Sequence, residues 1–147
     1  MTIGVRLLAA GTAIGAVATV LATACGSGVG GNWSIGDAKQ FSDYSLYWVG
    51  DDFEGFPLTE IFYDRGDLAK SDEDVLFSYG SCTRNPFSGE CEYPLWILVK
   101  PHRAGPPANS PGSRRVEKHD VTVTVGGWDA ALVGLAAKNL EVVNNAP

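Results

Sequence analysis

Apolar and β-branched residues fall in short runs cut by Gly, Pro and Asp clusters through the middle of the chain, a pattern that predicts strands. Tyr44–Val49 stops at Gly50, Thr59–Tyr63 at Asp64-Arg65-Gly66-Asp67, and Val75–Tyr79 at Gly80. Leu95-Trp96-Ile97-Leu98-Val99 is apolar throughout, which predicts a strand covered on both faces. Val121-Thr122-Val123-Thr124-Val125 alternates strictly, so its valines should face a core and its threonines solvent or a cross-strand neighbour. A sixth short strand is expected at Glu141-Val142-Val143.

After Gly126-Gly127 the period changes. Trp128, Leu132, Leu135, Ala136 and Leu140 fall on one helical face. Asp129 is placed to cap the first turn and Asn139 to end the last, while Gly134 would let the helix approach the sheet closely. The expected fold class is therefore α+β: a small, mostly antiparallel sheet of five or six strands with one C-terminal amphipathic helix. Between the fourth and fifth strands, Pro101 to Asp120 holds four prolines and two glycines, and should be a long irregular loop. That loop also carries Arg103, Arg114, Arg115 and Lys118.

The first residues read differently. Arg6 precedes an uncharged apolar stretch, Leu7 to Leu21, which ends in the small residues Ala22-Thr23-Ala24 and then Cys25. A charged n-region, an apolar h-region and a small-residue cleavage site make residues 1–24 a signal peptide. Leu21-Ala22-Thr23-Ala24-Cys25 resembles a bacterial lipobox, with Ala22 where Leu is usual. The resemblance implies cleavage before Cys25 and attachment of diacylglycerol to its sulfur. Ala22-x-Ala24 also suits ordinary secretory cleavage, which would release a soluble protein, and an uncleaved transmembrane helix is the weakest option because the stretch is short. Residues 25–36 would then be the lipidated cysteine and a flexible Gly/Ser-rich tether, and residues 37–147 a single globular domain. The expected address is the outer face of the bacterial cell membrane, with the lipid anchor as the contact to it.

Composition agrees with export of one domain. The 147 residues suffice for one core, and a net charge of -6 argues against nucleic-acid binding, which needs a basic field. Eleven of the acids lie between Asp37 and Asp74 against three bases, and the opposite charge gathers in the 101–120 loop. Cys82 and Cys91 remain as a pair once Cys25 is assigned to the anchor. With Asn85-Pro86 and Ser88-Gly89 between them, a loop folded back and closed by a disulfide is expected. A redox site would need a closer spacing and a zinc site more ligands.

Catalytic signatures such as a nucleophile elbow, a phosphate loop, a His-Glu-x-x-His or a dinucleotide fingerprint do not occur, and no cofactor or metal is expected. His102 and His119 stand at the two roots of the basic loop, where antiparallel pairing of the flanking strands would bring them together as half of an acid/base or metal site. Both also suit a solvated loop. Asp51-Asp52-x-Glu54 and Ser71-Asp72-Glu73-Asp74 are carboxylate clusters without the spacing of a calcium loop, and read as solvated turns. Tyr44, Tyr47, Trp48, Phe53 and Phe56 crowd a hairpin region. Exposed, they would form a binding surface together with Arg103, Arg114 and Arg115; buried, they would pack.

Tyr47-Trp48-Val49-Gly50, Phe53-Glu54-Gly55-Phe56-Pro57-Leu58-Thr59, Tyr79-Gly80-Ser81-Cys82 and Cys91-Glu92-Tyr93-Pro94-Leu95, in that order, resemble a group of small uncharacterised exported lipoproteins of high-GC Gram-positive bacteria. The resemblance implies a shared turn at Phe53–Leu58 and brings no activity with it. The expected function is a membrane-anchored envelope lipoprotein that binds an envelope protein or polymer without catalysis. The alternatives are a small envelope hydrolase using His102 or His119 with a carboxylate, and a purely structural lipoprotein.

Overall fold

The computed structural model describes residues 30–66, 73–86, 89–102 and 112–146. The signal stretch, Cys25 and Arg103 lie outside them. The fold is α+β. Its elements run β1 (Gly31–Asn32), α1 (Ile35–Gln40), β2 (Tyr47–Trp48), β3 (Asp52–Phe53), β4 (Phe56–Asp64), β5 (Asp74–Tyr79), β6 (Thr83–Arg84), β7 (Cys91–Glu92), β8 (Leu95–Pro101), β9 (Arg114–Glu117), β10 (Val121–Gly127), α2 (Ala130–Lys138) and β11 (Glu141–Val142). Among the described residues no helix is long and apolar enough to cross a membrane.

The main sheet has seven strands in the order β1-β4-β5-β8-β10-β9, with β3 paired to β4 beside this path, and every pairing is antiparallel. Register aligns the core row by row: Tyr63 opposes Val75, Val75 opposes Val99, and Val99 opposes Val123. Ile61, Phe77, Ile97 and Val125 form the next row. Because side chains alternate across a strand, these residues share one face, and most of them are wholly buried.

Two layers cover that face. One is α2, packed on β9 and β10 through Val133 and Ala136. Asp129 caps it as expected, its carboxylate accepting from the N–H groups of Ala131 and Leu132 at 2.7 and 2.8 Å. The expected face is half right: Leu132, Ala136 and Leu140 pack, but Trp128 and Leu135 are 56% and 41% exposed. Trp128 precedes the cap, so helical phase does not apply to it, and Leu135 lies roughly 160° around the helix from the buried Val133.

The other layer is the segment 41–49, which brings Tyr44, Leu46, Trp48 and Val49 onto the core. Of the expected strand Tyr44–Val49 only Tyr47–Trp48 pairs, with β11 in a separate ladder. Leu46 O accepts from Val143 N–H at 2.9 Å, and several other backbone groups are satisfied by side chains from far along the chain. Asn144 accepts from Leu46 N–H at 2.7 Å and donates to the carbonyls of Phe41 and Tyr44 at 2.8 and 2.9 Å. Asp120 accepts from Ser45 N–H at 2.7 Å, and Tyr79 Oη from Val49 N–H at 3.3 Å. Those bonds replace a ladder, as a buried backbone requires.

Other boundaries shift. Residues 31–36, expected in the tether, belong to the folded unit: β1 pairs with β4, Trp33 stacks on Tyr63 with centroids 4.4 Å apart, and Ser34 with Asp37 forms a capping box on α1. The 101–120 loop also holds more structure than expected, since β8 runs through Pro101 and Arg114–Glu117 forms the edge strand β9. Phe53–Leu58 does form a turn. Glu54 and Gly55 both take positive φ, 52° and 81°, the two-residue hairpin geometry that follows strand twist.

Candidate functional site

The expected aromatic surface is mostly core. Tyr44 and Trp48 are buried, Phe53 and Phe56 pack partly buried against the core, and Tyr47 is half-buried with Lys118 Nζ 5.1 Å above its ring. These rings hold the covering segment onto the sheet. Of the arginines, Arg114 lies across Gly134 of α2, where an added Cβ would meet its guanidinium at 3.3 Å, and Arg115 is exposed on β9 opposite Thr124. Gly134 therefore makes room for an arginine rather than for sheet backbone.

The histidine expectation has a different outcome. β8 and β10 pair antiparallel, but His102 meets a carboxylate rather than His119: its Nε2 is 3.2 Å from Glu117 Oε2. Glu117 also accepts from Thr122 Oγ1 at 2.8 Å, and His102 N–H donates to Asp120 O at 3.1 Å. Both side chains of the pair are about half exposed, at 46% and 59%. Asp52 of the first acidic cluster accepts from Gly55 N–H inside the hairpin turn, and Asp74 of the second pairs with Lys100 at 3.7 Å. Among the described residues no group of three or more His, Cys, Asp or Glu side chains could hold a metal ion.

The surface with the most distinctive chemistry is the other face of the sheet. β8 is not covered equally on both sides: Leu95, Ile97, Val99 and Pro101 are buried, whereas Trp96, Leu98 and Lys100 keep part of their surface in solvent. The apolar residues of that second face therefore serve no core. Leu76, Trp96, Leu98, Gly127 and Trp128, with Cys91, Glu92 and Tyr93 as a wall, line a groove of about 450 Å³. Trp96 lies over Gly126, its opposite on β10: a Cβ built at 126 would fall inside the indole. Glycine at 126 is what lets that ring settle onto the strand. Trp128 is held at the rim by its backbone N–H, which donates to Pro94 O at 3.1 Å.

The wall comes from the disulfide hairpin. Cys82 and Cys91 are joined as expected, with Cα atoms 5.5 Å apart, and β6 pairs with β7 beside them. Asn85 Nδ2 donates to Glu92 Oε1 at 2.5 Å, and Asn85 N–H to Glu90 O at 2.8 Å. Tyr93 also lines a polar cleft of about 390 Å³, with Asn32, Thr59, Glu60, Gly80, Ser81 and Cys82. Tyr93 Oη donates to Glu60 Oε2 at 2.6 Å, and this bond holds the phenol above its usual titration range. Thr59, the residue left over by the register shift between Leu58 and Glu60, turns its hydroxyl onto the carbonyls of Ser78 and Gly80.

Sequence reading missed this groove for a definite reason. Trp96 was counted as core because its run is continuously apolar, and Trp128 because it falls in helical phase with α2. The available signal was Gly126-Gly127 ending a valine strand opposite a tryptophan. No protein-family profile, curated protein or solved structure matches the chain.

Proposed function

We propose that this is an exported lipoprotein, anchored to the outer face of the bacterial cell membrane through Cys25, whose folded domain is a non-catalytic module that binds an envelope partner in the groove of Trp96, Trp128 and Tyr93. The observation that carries the reading is the aromatic groove itself: apolar rings on the sheet face opposite the core, bedded on a glycine and walled by a disulfide hairpin. Concave apolar surface with a few fixed polar groups is the usual form of a binding site. The address rests on the signal stretch and the lipobox resemblance. A diacylglycerol on Cys25, at about 0.8 kcal/mol per buried methylene, would supply a firm anchor where a single acyl chain is marginal.

The test places a photoreactive benzoylphenylalanine at Glu90, which is exposed on the disulfide hairpin that walls the groove, in the full-length protein in its native cell. The reading expects discrete adducts that disappear when Trp96 and Trp128 are both changed to Ala, and loss of membrane retention on Cys25→Ser. Adducts indifferent to the tryptophans, or none, would overturn it. A second reading, a small envelope hydrolase, rests on the 3.2 Å contact between His102 and Glu117. The two separate cleanly: a hydrolase loses turnover on His102→Ala, whereas the binding module keeps its adducts.

A further inference from the structure

We infer that the groove takes an uncharged saccharide chain, its sugar rings lying on Trp96 and Trp128 and its hydroxyls reaching the polar cleft past Tyr93. This inference rests on the binding-module reading and names its ligand class. Three features of the groove select among ligands. The first is shape. Trp96, Leu98 and Tyr93 are half-buried and Trp128 is 56% exposed, so the aromatics line a groove open to solvent along one side rather than an enclosed cavity. A lipid tail or drug-like apolar molecule needs most of its surface covered, which this open groove does not offer. A sugar ring needs only one face covered. Its C–H bonds, polarised by the neighbouring oxygens, are drawn to the negative face of an indole, while the other face stays in water.

The second feature is charge. Among the described residues, those lining the groove and cleft include Glu92 and Glu60 and no lysine or arginine, in a chain of net charge -6. Anionic polymers are repelled by such a surface. The third is the form of hydrogen bonding already present. Glu60 is engaged by the Tyr93 hydroxyl at 2.6 Å and Glu92 by the Asn85 amide at 2.5 Å, so both carboxylates are held in place by neutral donors. Fixed acceptors of this kind beside an aromatic groove suit the hydroxyl groups of a sugar, which donate and accept in turn. Asn32 and Ser81 add amide and hydroxyl groups across the cleft from Tyr93. A lysine-rich peptide would also meet the two acids, and serves as the rival ligand.

The experiment uses the full-length protein in detergent, with tryptophan emission as the readout and glucose-, mannose- and arabinose-based neutral oligosaccharides as probes, beside a polyglutamate and a lysine-rich peptide. The expected result is saturable binding of at least one neutral series with a shift in emission, insensitive to added salt because no ion pair forms. Trp128→Ala, at an exposed position outside the core, should weaken it about ten-fold, as should Trp96→Ala, whereas Trp96→Phe keeps a flat ring and most of the affinity. No saturable binding to any neutral series, binding that survives both Ala substitutions, or preference for the lysine-rich peptide would each overturn the inference. If neutral sugars fail while adducts at Glu90 still depend on the tryptophans, the saccharide class falls and the binding module stands. If both fail, both fall.

Discussion

Asn144 is the residue whose loss should cost this fold most for its size. Its side chain is 4% exposed and joins the last described strand region to the segment 41–46 through three hydrogen bonds, two of them fully buried. Asn144→Ala leaves Leu46 N–H buried without its acceptor and takes a buried donor from the Tyr44 carbonyl, at about 1–3 kcal/mol each. The Phe41 carbonyl is only part-buried and regains water. A water entering the vacated space recovers some of the loss, so the expected destabilisation is about 3 kcal/mol, a large share of the ~5–15 kcal/mol of an ordinary domain. Urea unfolding should show the midpoint lowered by about 1–2 M with the slope unchanged. Asn144→Asp separates hydrogen bonding from volume. At neutral pH it sets an anionic oxygen against two carbonyls and should be worse than Ala, and it should recover in acid, where the protonated carboxyl again donates. An Ala variant within about 0.5 kcal/mol of the parent, or an Asp variant equal to it at pH 7, would refute the reasoning.

Three further outcomes follow from other parts of the molecule. Cys82→Ser opens a short closed loop and should cost about 2.7 kcal/mol on chain-entropy grounds; equal thermal stability of the variant and the oxidised parent would refute the clasp. Tyr79 is buried, and burial raises its hydroxyl above the usual tyrosine range, with Asp51 and Glu141 adding to the shift. The unfolded chain releases that proton near pH 10 and the folded one does not. Stability is therefore whole below pH 10 and falls by about 1.4 kcal/mol per pH unit above it. Tyr79→Phe should lower that slope and leave the part that Tyr93 contributes, as urea titrations at pH 9 and 11 would show, and an unchanged slope would contradict the assignment. Gly126→Val drives a branched side chain into the Trp96 ring and should expel it, costing about 1–3 kcal/mol and changing tryptophan emission; an unaltered spectrum would show that the ring does not rest there.

The sheet was legible because periodicity reports burial. Val75–Tyr79, Leu95–Val99 and Val121–Val125 all lie within observed strands, and the cap at Asp129 stands where the sequence puts it. The covering segment was not legible. Tyr44–Val49 looks like a strand, but its backbone is held by Asn144, Asp120 and Tyr79, side chains some 30 to 100 positions away that no local window contains. Aromatic content likewise says nothing about which face a ring takes. Tyr44 and Trp48 went into the core, while Trp96 and Trp128, read as core, line the groove. An apolar strand with one face on the core and one on a binding surface has the same sequence pattern as a strand buried on both.

Radical footprinting of side chains in intact cells, against the purified full-length protein, decides whether the Trp96–Trp128–Tyr93 groove is the working surface of the molecule. The account predicts that oxidation of Trp96, Trp128 and Tyr93 falls in cells while exposed residues elsewhere, such as Leu135, are labelled equally in both. Equal labelling of the three groove residues in the two states, with protection appearing instead around His102 and Glu117 or along β9, would contradict it.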